Sequence, residues 1–511
     1  MWCLSLNVPW AKQQRRPTRV AVLGGGFAGL TAARTLAAHK DVEVLLVDQR
    51  EYFEYTPGIL RAWVNPNVHR ALVNPIRRLL RSKRAQFQRV PPGYAAKVSE
   101  GAADGDRPLC FSVQSPEDDA EAPLVEYACD YAILATGGEL SPVSDDRQLP
   151  DGSIYARRAR LKEQVNAVMA NASSALVVGG GLTGVELAAE LGERMGPGAV
   201  TLAVGPTRPE RGTFPGDPGA GLLPGFRNTC GPSSTFFFLK NFGKGGASRH
   251  VRKWLDKKGV RLLETWAVPP PAGATLADVT AAARPACART WRDAGDENRS
   301  NAVSWEEAGP GADLEADVVF DCRGLRPNTK QAFTRFSAGA AQLGLPPSTV
   351  APSGWLRVDE RFRLVTPPAE QQAGREKLER AASELQKLTP AYNGRVYCVG
   401  DAAEKDRRER TAANAHAEGE YVATAIAREI RRKRPLSPYV RPLRLTAVSL
   451  GKWDGVIVLA RWVALRGKLA ALGKQFIQWY FVNFLPLPYW LLRRLPGAQP
   501  RTPVEVAPRI S

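Results

Sequence analysis

The feature that most constrains the fold of this chain is a glycine motif, G-x-G-x-x-G, that occurs twice about 155 residues apart, each time between an apolar run and a run of helix-forming residues. The first glycine permits a tight turn, the second lets backbone approach a pyrophosphate, and the third lets the helix pack close to the strand. We therefore expect two strand–turn–helix–strand units, each with dinucleotide phosphates at a helix N-terminus. The motif glycines are Gly24, Gly26 and Gly29, then Gly179, Gly181 and Gly184.

The first unit carries an acid where the ribose of a dinucleotide binds in such a fold. Its second apolar run, Val42 to Val47, ends at Asp48. A carboxylate in this place can accept hydrogen bonds from a ribose diol. We expect the neighbours of this acid and the first residues of the helix to contact the same ligand, namely Gln49, Arg50, Phe27 and Ala28.

The second unit lacks that acid. The expected position of the acid is occupied by Ala203, Val204 and Gly205. The residues that follow include Thr207, Arg208 and Arg211. A carboxylate repels a 2′-phosphate whereas an arginine accepts one, so the unit should accept NADPH as well as NADH. The alternative is that these arginines are solvated surface residues. The nucleotide contacts expected at the helix start are Leu182 and Thr183.

Three further segments have the pattern of buried strands that end in small residues. Asp130–Ala135 runs into Thr136 and Gly137, where backbone can cross close to a cofactor. Asp317–Gly324 is its counterpart after the second unit. Arg395–Asp401 ends in Gly400 and Asp401, and a carboxylate at a strand end can hold a ribityl or ribose hydroxyl.

In this order the motifs resemble those of the two-dinucleotide flavoprotein superfamily named for pyridine nucleotide-disulfide oxidoreductases, from Arg19 to about Arg434. The resemblance implies FAD on the first glycine motif, the acid, the Ala-Thr-Gly turn and the late Gly-Asp. It implies NADH or NADPH on the second motif. The implied FAD residues are Gly24, Gly26, Gly29, Asp48, Ala135, Thr136, Gly137, Gly400 and Asp401, and those for NAD(P)H are Gly179, Gly181, Thr183, Gly184 and, by position, Gly324.

Disulfide reductases of this superfamily need a redox C-x-x-C or C-x4-C pair. The seven cysteines here form neither, and we expect them to be reduced, buried thiols. Reduced flavin must therefore pass its electrons to another acceptor. The loop around Thr56 and Pro57 resembles the flavin-side loop of type II NADH:quinone oxidoreductases and of the related AIF-like ferroptosis suppressor protein group. Glu186 matches a glutamate that in those enzymes lies between nicotinamide and flavin, with stabilisation of its helix N-terminus as the alternative role.

The quinone-side helix departs from that family. Type II enzymes carry two glutamines there, but the stretch Thr411–Gly419 has alanines in their places. His416 and Glu418 remain as polar groups that could meet a quinone carbonyl, with a structural role as the alternative for His416. Neither the four histidines nor the cysteines have the spacing of a metal cluster, so no metal is assigned.

The C-terminal segment combines basic and aromatic residues. The chain has a formal net charge of +19, and from Val440 onward eleven Lys/Arg face two acids, 11 − 2 = +9. Apolar residues recur at alternating spacings of four and three, which predicts one continuous helical stripe: Val458, Trp462, Leu465, Leu469, Leu472 and Phe476. Such a segment suits attachment in the plane of an anionic membrane. Packing on the flavin domain or in a homodimer is the alternative; no groove-reading motif supports nucleic-acid binding.

The expected fold is α/β, with two Rossmann-type dinucleotide-binding domains, the FAD domain interrupted by the NAD(P)H domain, plus a C-terminal amphipathic helical segment. The expected units are an extension (1–17), the first segment of the FAD domain (18–140), the NAD(P)H domain (141–314), the second segment of the FAD domain (315–435) and a membrane-facing module (436–511). Residues 226–248 look like an insertion or a gene-model artefact, and 287–313 look loop-like.

These patterns predict an FAD-dependent, non-proton-pumping NAD(P)H:quinone oxidoreductase. Two alternatives remain: an AIF-like flavoprotein with a regulatory or nucleic-acid-binding role, and a soluble reductase of a protein acceptor. The first sixteen residues lack the apolar core of a secretory signal, and their arginines leave an organelle presequence open. We expect a peripheral membrane protein of the mitochondrial inner membrane, with the cytoplasmic membrane face as the alternative.

Overall fold

The structure is a computed structural model, and it describes residues 16–91, 95–101, 107–114, 125–139, 152–204, 246–264, 266–268, 286–291, 313–322, 325–327, 345–351, 353–367, 389–404, 410–441, 445–459, 463–484 and 499–500. Arg208, Gly324, Trp462 and the N-terminal fifteen residues, on which several expectations fall, lie outside this set.

The first glycine unit lies in a five-stranded parallel sheet. Its strands are β1 (Thr18–Leu23), β2 (Val42–Asp48), β5 (Ala85–Arg89), β9 (Tyr131–Leu134) and β21 (Val396–Cys398), in the order β21-β9-β1-β2-β5. Val20, Val22, Leu46 and Ile133 are fully buried in it. Because β21 comes from late in the chain, the first and last thirds of the sequence build one domain, as the motif order predicts.

Three helices pack on one face of this sheet: α1 (Phe27–Ala37), α2 (Ile76–Leu80) and the long helix α6 (Ala412–Ile430). α1 and α6 touch so closely that a Cβ at Gly419 would lie 2.2 Å from the Ala28 carbonyl oxygen. The core of the opposite face is shared with an antiparallel sheet of β6 (Ala95–Glu100), β7 (Leu109–Gln114) and β8 (Val125–Cys129). Short strands β3 (Tyr52–Glu54) and β4 (Val73–Pro75) flank two 3-10 helices, Thr56–Trp63 and Pro66–Ala71.

The second glycine unit lies in a separate parallel sheet. Its strands are β11 (Ala175–Val178), β12 (Val200–Val204), β13 (Arg261–Glu264) and β17 (Val318–Asp321), in the order β13-β12-β11-β17. Helices α3 (Ile154–Met169), α4 (Leu182–Met195) and α5 (Gly246–Lys257) belong to the same unit. Since β17 pairs with β11, this domain extends past the boundary expected at residue 314. β10 (Gly138–Glu139) pairs with β18 (Arg326–Pro327), so the two strands that connect the domains run side by side.

Two loop expectations are corrected. Helix α5 begins inside the expected insertion 226–248, and its Ala247 and Ser248 are buried. These residues are part of the nucleotide domain because they pack in its core. Residues expected to be loop-like, from Cys287, form strand β15 (Ala286–Trp291), which pairs with β14 (Trp266–Val268) and β16 (Asp313–Ala316).

The C-terminal segment is not one continuous helix. It forms an antiparallel sheet, β23 (Leu445–Leu450), β24 (Asp454–Leu459) and β25 (Val463–Arg466), followed by helix α7 (Lys468–Val482). Val458 and Leu465 therefore lie on strands. Gly467, with φ +72°, reverses the chain before α7 and ends the apparent periodicity.

Two short antiparallel pairs complete the described strands. β19 (Val365–Thr366) pairs with β20 (Thr389–Pro390), and β22 (Val440–Arg441) pairs with β26 (Gln499–Pro500). Among the helices that the structure describes, none combines the length and the apolar composition that a membrane span needs.

Candidate functional site

The first glycine loop has the geometry expected for dinucleotide binding. A Cβ at Gly29 would lie 1.9 Å from the Gly24 carbonyl oxygen, and one at Gly24 would lie 2.3 Å from the Ala135 carbonyl oxygen. Only glycine therefore fits where α1 packs on β1 and β9. A Cβ at Gly26 would meet nothing within 4 Å, so backbone at the start of α1 is open to a ligand.

The second loop repeats this arrangement. A Cβ at Gly184 would lie 1.8 Å from the Gly179 carbonyl oxygen, whereas one at Gly181 would meet no atom within 4 Å. Leu182 and Thr183 are the first two residues of α4. Both loops thus combine one glycine fixed by packing with one that faces open space, which is the shape a pyrophosphate requires.

Asp48 lies at the end of β2, beside the first loop. Its Oδ2 accepts a hydrogen bond from the Gly25 N–H at 2.5 Å, and its Oδ1 accepts one from the Arg50 N–H at 2.7 Å. The Arg50 guanidinium lies 3.8 Å from the same carboxylate, and the carbonyl of Gln49 packs against Gly152. The carboxylate is therefore held at the mouth of the loop, where a ribose hydroxyl could reach it.

The late Gly-Asp segment also meets the first loop. Gly400 begins a 3-10 turn that includes the half-buried Asp401, and a Cβ at Gly400 would lie 3.0 Å from the Ala28 Cβ. The Gly400 N–H donates to Glu418 Oε2 at 2.9 Å, and Glu418 is completely buried. Glu418 therefore holds the Gly-Asp turn. The small-residue turn after β9 lies beside the same loop: Ala135, Thr136 and Gly137.

His416 is buried between α1 and α7. Its Nδ1 lies 2.7 Å from Thr31 Oγ1, and that hydroxyl donates to the Phe27 carbonyl at 2.6 Å. Thr31 must therefore accept from His416, which places the imidazole proton on Nδ1. Burial, with a smaller effect of Arg34, lowers the pKa of His416 to about 4. The neutral ring packs against Phe481 and Phe484. These contacts favour a structural role for His416.

One cleft brings the two dinucleotide units and the C-terminal sheet together. One wall is the 3-10 helix Thr56–Trp63, and the opposite wall is α4. The C-terminal sheet and α7 complete the cleft. The lining residues include Pro57, Gly58, Arg61, Glu186, Glu190, Ser449, Gly451, Lys474 and Gln475. The cleft therefore joins the loop after Thr56 to the nucleotide helix.

Glu186 is bound by the C-terminal module. Its Oε1 accepts a hydrogen bond from the Ser449 N–H at 2.8 Å and forms an ion pair with Lys474, and both side chains are largely buried. The carboxylate does not cap its own helix, so the alternative of helix stabilisation is not what the structure shows. Burial, together with the nearby charge of Glu186, raises the pKa of Tyr55, which precedes the flavin-side loop.

A second carboxylate on the same face of α4 ties this helix to the flavin-side loop. Glu190 accepts hydrogen bonds from Arg61 Nε at 3.1 Å and from Arg61 Nη2 at 2.8 Å. Burial raises the pKa of Glu190, and Arg61 opposes this rise. One turn on, Glu193 accepts from the Lys452 N–H at 2.9 Å. The Glu186, Glu190 and Glu193 carboxylates thus fasten α4 to two neighbouring units.

A buried charge cluster supports the flavin-side loop from behind. Glu54 accepts from Arg157 Nε at 3.2 Å and lies 2.8 Å from His69 Nε2. Arg157 and His69 hold the pKa of Glu54 at about 2, although burial opposes this effect. Sequence patterns missed this cluster, as well as Arg61 and Lys474. Glu190 could have been identified from the sequence, because it follows Glu186 by four residues and so lies on the same face of the helix.

Within the described residues, no group of three His, Cys, Asp or Glu side chains is arranged to hold a metal ion. Cys110, Cys129, Cys322 and Cys398 are buried and are not joined in disulfides, which agrees with the expected reduced thiols. Burial raises the pKa of the Cys129 thiol to about 12, so this thiol is not activated.

The geometry defines a class: an α/β fold with two glycine loops of the dinucleotide-binding type, one in each parallel sheet. The model of the pyridine nucleotide-disulphide oxidoreductase family matches residues 18–207 of this chain. Sulfide:quinone oxidoreductase from Aquifex aeolicus has a similar fold, with a TM-score of 0.56 at 15% identity over 94% of this chain and 96% of that one. NDH2 from Plasmodium falciparum, in complex with NADH, gives 0.55 at 12% identity over 95% and 99%.

Sequence relatives match about a third of the chain. It is 29% identical over 193 residues to demethylphylloquinone reductase NdbB of Synechocystis sp., which covers 35% of this chain and 44% of that protein. It is 28% identical over 196 residues to the external alternative NAD(P)H-ubiquinone oxidoreductase B3, mitochondrial, of Arabidopsis thaliana, covering 34% and 32%. Apoptosis-inducing factor homolog B of Dictyostelium discoideum is 27% identical over 178 residues, covering 34% and 39%. Each match therefore spans less than half of the relative.

Proposed function

We propose that the protein is an FAD-dependent NAD(P)H:quinone oxidoreductase. The observation that carries this proposal is the shared cleft, in which Pro57 of the flavin-side loop faces Glu186 of the second dinucleotide unit. One relative is named as a reductase of a quinone and another as an NAD(P)H-ubiquinone oxidoreductase, which supports the same kind of reaction here.

The residues of the first loop fit FAD. Gly26 leaves open space at the start of α1, Asp48 presents a carboxylate for a ribose, and Gly400 and Asp401 close the site from the other end of the domain. NADH or NADPH would bind at Gly181 in the same way. When bound, the flavin supplies the chemistry of accepting a hydride from nicotinamide and passing two electrons to an acceptor.

The protein groups in the cleft would act by position and charge. Arg61 and Glu190 hold the flavin-side loop against α4, which fixes the distance between the two dinucleotide sites. Glu186 and Lys474 form a polar wall of the cleft. Glu186 would orient the nicotinamide or hold a proton there.

We further propose peripheral membrane attachment through α7. Among the described residues, eight large apolar side chains are exposed, and seven of them lie between Trp453 and Trp479. Four of them are on α7, and each is more than half exposed: Leu469 (67%), Leu472 (52%), Phe476 (62%) and Trp479 (54%). Their spacing of three or four places them on one face, which suits a membrane that holds the quinone; a homodimer is the other occupant of this face. The mitochondrial inner membrane remains the proposed location.

Purified protein tests the proposed reaction. The cofactor released on denaturation should be FAD, and NADH or NADPH should be oxidised with a short-chain ubiquinone in steady state. A protein that binds no flavin, or that oxidises nicotinamide without reducing quinone, would contradict the proposal.

One observation favours a second candidate, a reductase of a protein acceptor. The α6 positions that carry glutamines in type II enzymes are alanines here, and His416 is hydrogen-bonded to Thr31. Rapid electron transfer to a ferredoxin, together with slow quinone reduction, would support this candidate.

A further inference from the structure

Residues 55–99 contain nine Lys or Arg and no Asp or Glu. Arg61 is used in the cleft, and Arg89 lies 3.9 Å from Glu51. Six others are exposed, and no ion pair joins them to a carboxylate among the described residues. We call these six the basic segment: Arg70, Arg77, Arg78, Arg81, Lys83 and Arg84.

The basic segment lies next to the C-terminal end of α7. The Ala71 carbonyl, one residue after Arg70, accepts a hydrogen bond from Gln478 at 3.4 Å. Asn74, just before α2, donates to the Val482 carbonyl at 3.2 Å. Two of the six cations, Arg77 and Arg78, are on α2 itself. The basic segment therefore continues from the end of the exposed apolar face of α7.

Arg81 is also close to this end. Arg34 of α1 donates to the Phe484 carbonyl at 2.6 Å, and its guanidinium lies over the Phe484 ring. Burial, followed by the charge of Arg81, lowers the pKa of Arg34. Arg81 must therefore be near Arg34, and so near the residue that follows α7 by two positions.

The exposed face of α7 carries little charge of its own. Lys474 is buried in its pair with Glu186, which leaves Lys468 as the exposed cation of this helix. An apolar face alone would favour any lipid surface, whereas a neighbouring cluster of cations selects one that carries negative charge. The FAD domain, which was not expected to contact a membrane, can supply that cluster.

We propose that the basic segment of the FAD domain binds anionic phospholipid headgroups while the exposed face of α7 enters the same bilayer. The inference rests on the proposed membrane attachment and names the lipid class and a second contact. It adds a charge-selective contact in the FAD domain to the cations of the C-terminal module.

Vesicle binding of the full-length flavoprotein tests this proposal. The probes are vesicles of phosphatidylcholine alone and of phosphatidylcholine mixed with phosphatidylglycerol. The double variant Arg77→Gln/Arg78→Gln should weaken partitioning onto the mixed vesicles by on the order of tenfold, because each cation near an anionic surface adds to binding, and leave partitioning onto neutral vesicles unchanged. The variant Lys83→Gln/Arg84→Gln gives a second, independent test if the first pair fails to fold.

The matched control is Lys162→Gln/Lys257→Gln, which removes two exposed cations from α3 and α5 of the nucleotide domain. It should bind both vesicles like the parent protein. Equal losses in the control and in both basic-segment variants would overturn the proposal, since net charge alone would explain them. Unchanged binding in both basic-segment variants, or dimerisation of the parent without vesicle binding, would also overturn it.

Turnover with a water-soluble quinone, measured without vesicles, separates this proposal from the proposed function. A parent protein that turns over quinone but binds neutral and mixed vesicles equally refutes only the headgroup site. Absent quinone turnover with the expected lipid selectivity refutes only the reaction.

Discussion

Glu186 and Lys474 form a buried ion pair between α4 and α7, although 288 positions separate them in the sequence. The glutamate alone could be singled out from its motif. The lysine could not, because a basic residue on an amphipathic helix normally reaches solvent and nothing local indicates its partner. This pair connects the second dinucleotide unit with the C-terminal module.

We expect Lys474→Met to lower the free energy of unfolding by roughly 3 kcal/mol, because it leaves the Glu186 carboxylate buried without its cation. The double variant Glu186→Gln/Lys474→Met should recover most of that loss. Urea unfolding of the two single variants and the double variant measures the coupling. Additive losses in the double variant would show that the two side chains do not interact.

Stability should depend on pH through His416. Its pKa is lowered from 6.5 to about 4 in the folded protein, so the unfolded chain binds a proton that the folded protein rejects between these values. The contribution is therefore present above about pH 6.5 and is lost as the pH falls towards about 4.

We expect His416→Gln to remove part of this decline, because glutamine can still donate to Thr31 but does not titrate. Thermal unfolding midpoints across this pH range, compared with the parent protein, measure the difference. Parallel curves for parent and variant would contradict the assignment.

At the scale of elements, the two glycine loops and their strands follow from local sequence. β1, α1 and β2 form where an apolar run, a glycine turn and helix formers succeed one another, and the same order produces β11, α4 and β12. The predicted C-terminal helix is confirmed at Lys468–Val482, but the prediction was wrong for Val458 and Leu465 because apolar spacing alone was used. Val456, Ile457 and Val458 are consecutive β-branched residues, typical of a buried strand, and Gly467 separates them from the helix.

The two glycines of the second loop should respond differently to alanine. Gly181→Ala places a methyl group in open space, so the protein should keep its stability and lose nicotinamide binding by at least about tenfold. Gly184→Ala should destabilise the fold because its Cβ would contact the Gly179 carbonyl at 1.8 Å. Thermal unfolding and nicotinamide titration of both variants separate these effects. Equal stability losses would contradict this difference between the two positions.

At the scale of the whole molecule, the motif order predicted one domain interrupted by another, and the strand order agrees with it. The cleft between them could not be predicted from sequence. It depends on Arg61, Glu190 and the β23–β24 turn, which meet only after three separate units have folded. The aromatic neighbours of His416 likewise come from α7 and the residues just after it, so its burial has no local signal.

The proposed reaction is the oxidation of NADH or NADPH by a bound flavin, followed by transfer of two electrons to a quinone. Anaerobic stopped-flow absorbance of the purified flavoprotein, first mixed with NADH or NADPH and then with a short-chain quinone, tests it most directly. We expect rapid bleaching of the flavin by at least one nicotinamide and rapid return of the oxidised spectrum with quinone. Flavin that is not reduced by either nicotinamide, or that stays reduced in quinone, would contradict it.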